Sequence, residues 1–198
     1  MTLANKLTSL RVILTPVFFI VYFLPGFFPS WFSFGSAWTI PVLWLIFIFS
    51  EITDLLDGLV ARKLNQTSDL GKLFDPFADT LMQITCFLCF VIDGIFPAIL
   101  FLIVIYREFG ILFIRNLMLK KGISLGARKG GKIKTVAYII AGGAALLTVS
   151  LQRLKIFDFL FPYFKTGALV FFIIAIIISI ISFIDYLIIL LKAENAAK

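Results

Sequence analysis

Histidine does not occur anywhere in this 198-residue chain, so no imidazole base, proton shuttle or histidine-ligated metal is available to it. Cysteine is nearly as scarce. Cys86 and Cys89 form a C-x-x-C inside an apolar run with no further cysteine nearby, a setting that suits small buried core residues rather than zinc or redox chemistry. Charge is thin as well: Asp, Glu, Lys and Arg make up 15% of the residues. The chain shows no linker, no low-complexity tract and no inverted repeat of the kind many transporters carry, so a single domain over residues 1–198 is expected.

Apolar side chains occupy the space that charge leaves. They account for 61% of the chain, with 24 phenylalanines and a mean hydropathy of +1.08, far above a soluble domain. Six stretches, at Ile13–Phe28, Trp38–Ile52, Phe74–Val91, Pro97–Leu119, Val136–Leu151 and Gly167–Leu191, are compatible with spanning helices of about 20 residues. The expected fold is an all-α integral membrane protein of six transmembrane helices. The opening Met1–Arg11 resembles a signal peptide in charge, but no small-residue cleavage site follows, and Pro16 and Pro25 interrupt the run. It is expected to stay in place as a short interfacial helix, with Asn5, Thr8 and Arg11 on its polar face.

If six helices alternate across the bilayer, 15 of the 18 Lys and Arg residues fall on one side, leaving Arg153, Lys155 and Lys165 on the other. Positive charge marks the cytoplasmic side, so both termini are expected there. The net charge of +7 is explained by that bias and by anionic headgroups, without nucleic acid.

Acids inside such a chain need a reason, since Asp at the centre of a membrane helix costs roughly 2.5–3.5 kcal/mol. Four stand close together: Asp54, Asp57, Asp75 and Asp79. On a helix, Asp54, Asp57, Gly58, Ala61 and Arg62 recur on one face, and the small Gly58 and Ala61 open space beside the carboxylates. Asp69 reads as a solvated loop acid. The chain turns at Asn65–Leu70, and Asp75 and Asp79 share a face of the next helix, with Pro76 fitting its first turn. Two antiparallel helices thus present two acids each. All-oxygen donors of this kind suit hard cations such as Mg²⁺ or Mn²⁺, and a metal pair about 3.5–4 Å apart serves phosphoryl-type displacement.

The full pattern is D-x2-D-G-x2-A-R-x8-G-x3-D-x3-D, met at every fixed position by Asp54, Asp57, Gly58, Ala61, Arg62, Gly71, Asp75 and Asp79. It resembles the signature of the CDP-alcohol phosphotransferases, integral membrane enzymes that displace CMP from a CDP-linked donor with an alcohol. The stretches Asn5–Pro16, Arg107–Phe109 and Gly131–Thr135 resemble the branch of that family that makes phosphatidylglycerophosphate. Thr80 and Tyr138 depart from that branch, where Lys and Gln are usual.

The resemblance implies CDP-diacylglycerol as donor, sn-glycerol 3-phosphate as acceptor, two Mg²⁺ or Mn²⁺ ions, a homodimer, and the cytoplasmic membrane of a bacterium with the active site facing inward. It also implies roles. Asp54, Asp57, Asp75 and Asp79 would hold metal, and Asp79 would act as general base. Asn5, Thr8, Arg11, Gly58, Ala61, Arg62 and Gly71 would line the donor site. Arg107 and Arg115 lie eight apart on one helix, with Glu108 placed to pair with one of them, and Lys132 and Lys134 open the next helix. These four cations are expected to bind the acceptor phosphate. Asp185, deep in the last helix, has no assigned role. Two rivals remain open: a related transferase using inositol phosphate, serine or phosphatidylglycerol, and a carboxylate-lined ion transporter.

Overall fold

The computed structural model describes the backbone of residues 3–27, 36–64, 69–120 and 129–196, and the side chains of residues 6–27, 37–54, 74–118 and 130–192. Six long helices follow in chain order: α1 (Leu3–Phe27), α2 (Thr39–Leu64), α3 (Asp69–Ile92), α4 (Ala98–Lys120), α5 (Lys129–Leu154) and α6 (Phe161–Ala196). The described residues contain no strand. In hydrocarbon a helix satisfies its own backbone hydrogen bonds, which is why apolar runs of this length take that form. Lys6–Phe27, Phe74–Ile92, Gly130–Leu154 and Asp158–Lys192 are each long and apolar enough to cross a bilayer. The fold is that of an all-α membrane protein.

Two details differ from expectation. The N-terminal segment does not form a separate interfacial helix: Leu3–Phe27 is one helix, so Thr8 and Arg11 enter the bundle with it. Pro76 does not sit in a first turn either, because α3 already begins at Asp69 and carries the proline inside. The ring removes one backbone donor there.

Helix α1 packs on α2 and α3, α5 packs along α6, and α4 lies on α6 and α3. Small residues set the closest approaches. Ala141, Ala145, Ala168 and Ala175 are fully buried on α5 and α6, letting those backbones draw together. A Cβ on Gly110 would stand 2.9 Å from the Phe183 ring, and one on Gly142 would stand 3.2 Å from Phe47. The core between them is aromatic. Phe87 meets Phe96, Tyr138 and Phe172 edge-on, and Phe96 stacks on Phe172 with centroids 3.9 Å apart. Cys86 and Cys89 are free and buried in this core, as expected.

The turn from α3 to α4 is closed by Gly94, at φ +69°. Its N–H bonds the Val91 carbonyl and the Ile95 N–H bonds that of Phe90, the paired cap a left-handed glycine permits. Beside it, Arg153 of α5 donates to the Tyr22 carbonyl at 2.8 Å and to the Thr39 hydroxyl at 3.2 Å. Its guanidinium lies 4.5 Å from the Tyr22 ring centroid, and the Tyr22 hydroxyl donates to Asp93 at 2.6 Å. This network ties α1, α2, α5 and the end of α3 together. The opposite end of the bundle gathers the start of α1, α3 and α5 with the end of α2, α4 and α6.

Candidate active site

Three of the four signature acids have described side chains, and all three converge on one residue. Arg11 of α1, 1% exposed, pairs through Nη1 with Asp54 of α2 at 3.1 Å and through Nη2 with Asp75 of α3 at 3.9 Å. Its Nη1 also pairs with Asp79. Thr8, one turn before Arg11, donates its hydroxyl to Asp75. The Thr15 hydroxyl bonds the Arg11 carbonyl at 2.9 Å, holding the same face of α1 inward. Thr8 therefore reaches the acidic cluster. Among the described residues no three carboxylates surround a point of their own; Asp54, Asp75 and Asp79 surround a guanidinium.

Asp57 follows Asp54 by three residues on α2, and Gly58, Ala61 and Arg62 continue that helix, while Gly71 opens α3 and Asn5 lies in the first turn of α1. The side-chain positions of Asn5, Asp57, Ala61 and Arg62, and the surroundings of Gly58 and Gly71, lie outside the described residues.

The acidic cluster opens into a cavity of about 220 Å³. Asp54, Asp79 and Thr80 line one part, and Arg107, Arg115, Lys132 and Lys134 line another. All four cations expected to bind an acceptor phosphate thus face the same space as two of the aspartates. Their surroundings differ. Glu108, 3% exposed, pairs with Arg107 at 2.8 Å and with Lys134 at 3.0 Å, and the Arg107 Nε donates to the Ser179 carbonyl at 3.1 Å. Lys134 also lies 4.5 Å from the Tyr138 ring centroid, whose hydroxyl donates to Ser179 at 2.7 Å. Among the described residues Arg115 meets a neutral group, donating to the Tyr186 hydroxyl at 3.4 Å, and Lys132 is exposed. The first turn of α5, with Gly131 in the wall, adds the positive end of a helix dipole.

Several cavity residues were missed at the sequence level. Glu51 and Ser50 come from α2, Gln83 from α3 and Tyr186 from α6. Glu51 was legible in principle, since it precedes Asp54 by three residues and shares its face. Nothing local marks Gln83 or Tyr186; they reach the cavity through helix packing.

The profile of the family described as CDP-alcohol phosphatidyltransferase matches residues 1–192, and the chain belongs to that family. A CDP-diacylglycerol–glycerol-3-phosphate 3-phosphatidyltransferase of Treponema pallidum is 36% identical over 195 residues, covering 94% of this chain and 88% of that protein. The Bacillus subtilis protein of the same name is 38% identical over 153 residues, covering 73% and 76%. That of Haemophilus influenzae is 33% identical over 188 residues, covering 91% and 89%.

Proposed function

We propose that this protein transfers the phosphatidyl group of CDP-diacylglycerol to sn-glycerol 3-phosphate, giving phosphatidylglycerophosphate and CMP. The observation that carries the reading is the single cavity in which the signature aspartates face four cations. The relatives' names state the same reaction for those proteins. An ion-transporter role is set aside with membership of a phosphatidyltransferase family.

The acceptor hydroxyl attacks the phosphorus that carries the diacylglycerol. The oxygen–phosphorus bond forms, the bond to the CMP phosphate breaks, and the electron pair leaves with CMP. Asp79 takes the hydroxyl proton. The family works with divalent metal, and the donor set here fits it: carboxylate oxygens from α2 and α3 already converge on one cation, the Arg11 guanidinium. Two Mg²⁺ or Mn²⁺ ions held by Asp54, Asp57, Asp75 and Asp79 would neutralise the pyrophosphate and the charge growing on CMP. Arg62 adds a fixed cationic fork toward the donor phosphates, and Arg11 lines the donor site from among the aspartates. Asn5, Thr8, Gly58, Ala61 and Gly71 complete the donor wall, the glycines and alanine by leaving room.

On the acceptor side, Arg107, Arg115, Lys132 and Lys134 hold the phosphate, with charge-assisted bonds of about 1.5–3 kcal/mol each. A phosphate is thus required as well as a hydroxyl. Inositol phosphate also carries a phosphate and is therefore the rival acceptor, but its larger ring needs more room than Thr80 alone gives in the cavity wall. The protein spans the bacterial cytoplasmic membrane six times as a homodimer, one domain long, with both termini and the cavity on the cytoplasmic side. Purified protein given CDP-diacylglycerol and Mg²⁺ tests the acceptor directly. CMP release should be fastest with glycerol 3-phosphate and very slow with glycerol; faster release with inositol phosphate, serine or phosphatidylglycerol would contradict the assignment. Orientation is tested by single-cysteine labels in a background without Cys86 and Cys89. Position 65 should react only when the inner face is opened, and position 157 should react in intact cells.

A further inference from the structure

Glu51 stands outside the eight-residue signature yet lines the cavity. Helix α2 places it nearly one turn before Asp54, on the same face. Among the described residues, the charges that act on it are Asp54 on its own helix, Arg11 on α1 and Lys134 on α5. Three other cavity acids have a cation in contact: Asp54 and Asp79 share Arg11, and Glu108 holds Arg107 and Lys134. Among the described residues no hydrogen-bond or ion-pair partner meets the Glu51 carboxylate. A half-buried acid on a membrane helix is costly when nothing donates to it, and here the open side of the carboxylate is the cavity itself.

From this placement we infer that Glu51 determines acceptor specificity, accepting a hydrogen bond from a second acceptor hydroxyl that lies between the phosphate and the attacking oxygen. The inference rests on the proposed reaction and deepens it. Cations hold the phosphate on one wall and Asp79 faces the attacking hydroxyl on another. Glu51, on the helical face it shares with Asp54 and lining the same cavity as Lys134, meets the hydroxyl on the carbon between. Glycerol 3-phosphate carries a hydroxyl on that middle carbon. An acceptor with hydrogen there leaves Glu51 without a donor, and one with a carbonyl there sets oxygen against oxygen. A site that binds a hydroxyl this way discriminates against analogues lacking it more strongly than an apolar wall discriminates by size.

The test compares kcat/KM for glycerol 3-phosphate and for 3-hydroxypropyl phosphate, which lacks only the middle hydroxyl, at saturating CDP-diacylglycerol and Mg²⁺. The wild-type protein should prefer glycerol 3-phosphate by about 10- to 100-fold, the span of one hydrogen bond to a charged group. Glu51→Ala should bring that ratio close to one by lowering efficiency with glycerol 3-phosphate alone, and Glu51→Gln, which keeps an acceptor oxygen, should retain part of the preference. The KM for CDP-diacylglycerol should not change. Equal use of both acceptors by the wild-type protein overturns the inference without any variant, and so does a Glu51→Ala protein that loses both activities in parallel or keeps the wild-type ratio. Wild-type protein that releases CMP with neither of these phosphate esters, but does so with another alcohol, overturns the proposed acceptor as well, so the two failures are told apart.

Discussion

The two ends of the helix bundle are each organised by one arginine, and they use it differently. At one end Arg153 donates to neutral acceptors, the Tyr22 carbonyl and the Thr39 hydroxyl, and lies over the Tyr22 ring, whose hydroxyl donates to Asp93. The hydrogen bonds there run between neighbouring helices and close on one another. At the other end Arg11 is met by three carboxylates from two helices, and beside it a cavity holds further charge of both signs. The first end joins helices; the second keeps charge in excess of what joining helices requires. Buried polar groups that satisfy one another stabilise a fold, whereas charges gathered around open space mark where a charged ligand goes.

Substitutions at the two ends should therefore separate activity from stability. The largest expected effect is at the acidic end: Asp79→Asn should lower kcat by about 10²- to 10⁴-fold, the usual loss for a positioned base, while detergent-solubilised protein keeps its thermal midpoint to within a few degrees. Near-normal turnover of that variant at saturating Mg²⁺ would remove Asp79 as the base. Chelation should be comparably severe and reversible: EDTA should stop CMP release, and added Mg²⁺ or Mn²⁺ should restore it.

Arg115→Ala comes next. Among the described residues no carboxylate pairs with Arg115, which meets Tyr186, and its charge faces the cavity that is to hold the acceptor phosphate. Its removal should raise the KM for glycerol 3-phosphate by about 10- to 100-fold and leave the KM for CDP-diacylglycerol nearly unchanged. An equal rise in both would place Arg115 outside the acceptor pocket. The smallest catalytic effect belongs to Arg153→Ala. It should cost about 1–3 kcal/mol of stability by leaving the Tyr22 carbonyl and Thr39 with fewer partners, seen as a lower thermal midpoint. Both KM values should stay as they were. A change in acceptor KM there would blur the division between the two ends.

Local spacing made much of the acidic end legible and little of the other. Asp54 and Asp57 share a helical face whatever the helix packs against, and so do Asp75 and Asp79, which is why the carboxylates could be grouped from the chain alone. The spacing of Arg107 and Arg115 likewise placed both toward one cavity. What spacing could not carry was the angle at which helices meet. Reading Met1–Arg11 as an interfacial segment left Arg11 near the donor, whereas the unbroken α1 drives it among the aspartates. The same limit hid the pairing of Glu108 with Lys134, 26 residues on, and the arrival of Tyr186 from α6. Pro76 was placed in a first turn because proline favours that position, and the turn of helix gained from Asp69 onward put it inside.

The most direct test of the central claim is the product itself. Purified protein in detergent with CDP-diacylglycerol, Mg²⁺ and isotopically labelled sn-glycerol 3-phosphate should convert the label into lipid-extractable phosphatidylglycerophosphate, with one CMP released for each labelled lipid formed. Release of CMP without label in the lipid, or label in the lipid only when a different phosphorylated alcohol is supplied, would contradict it.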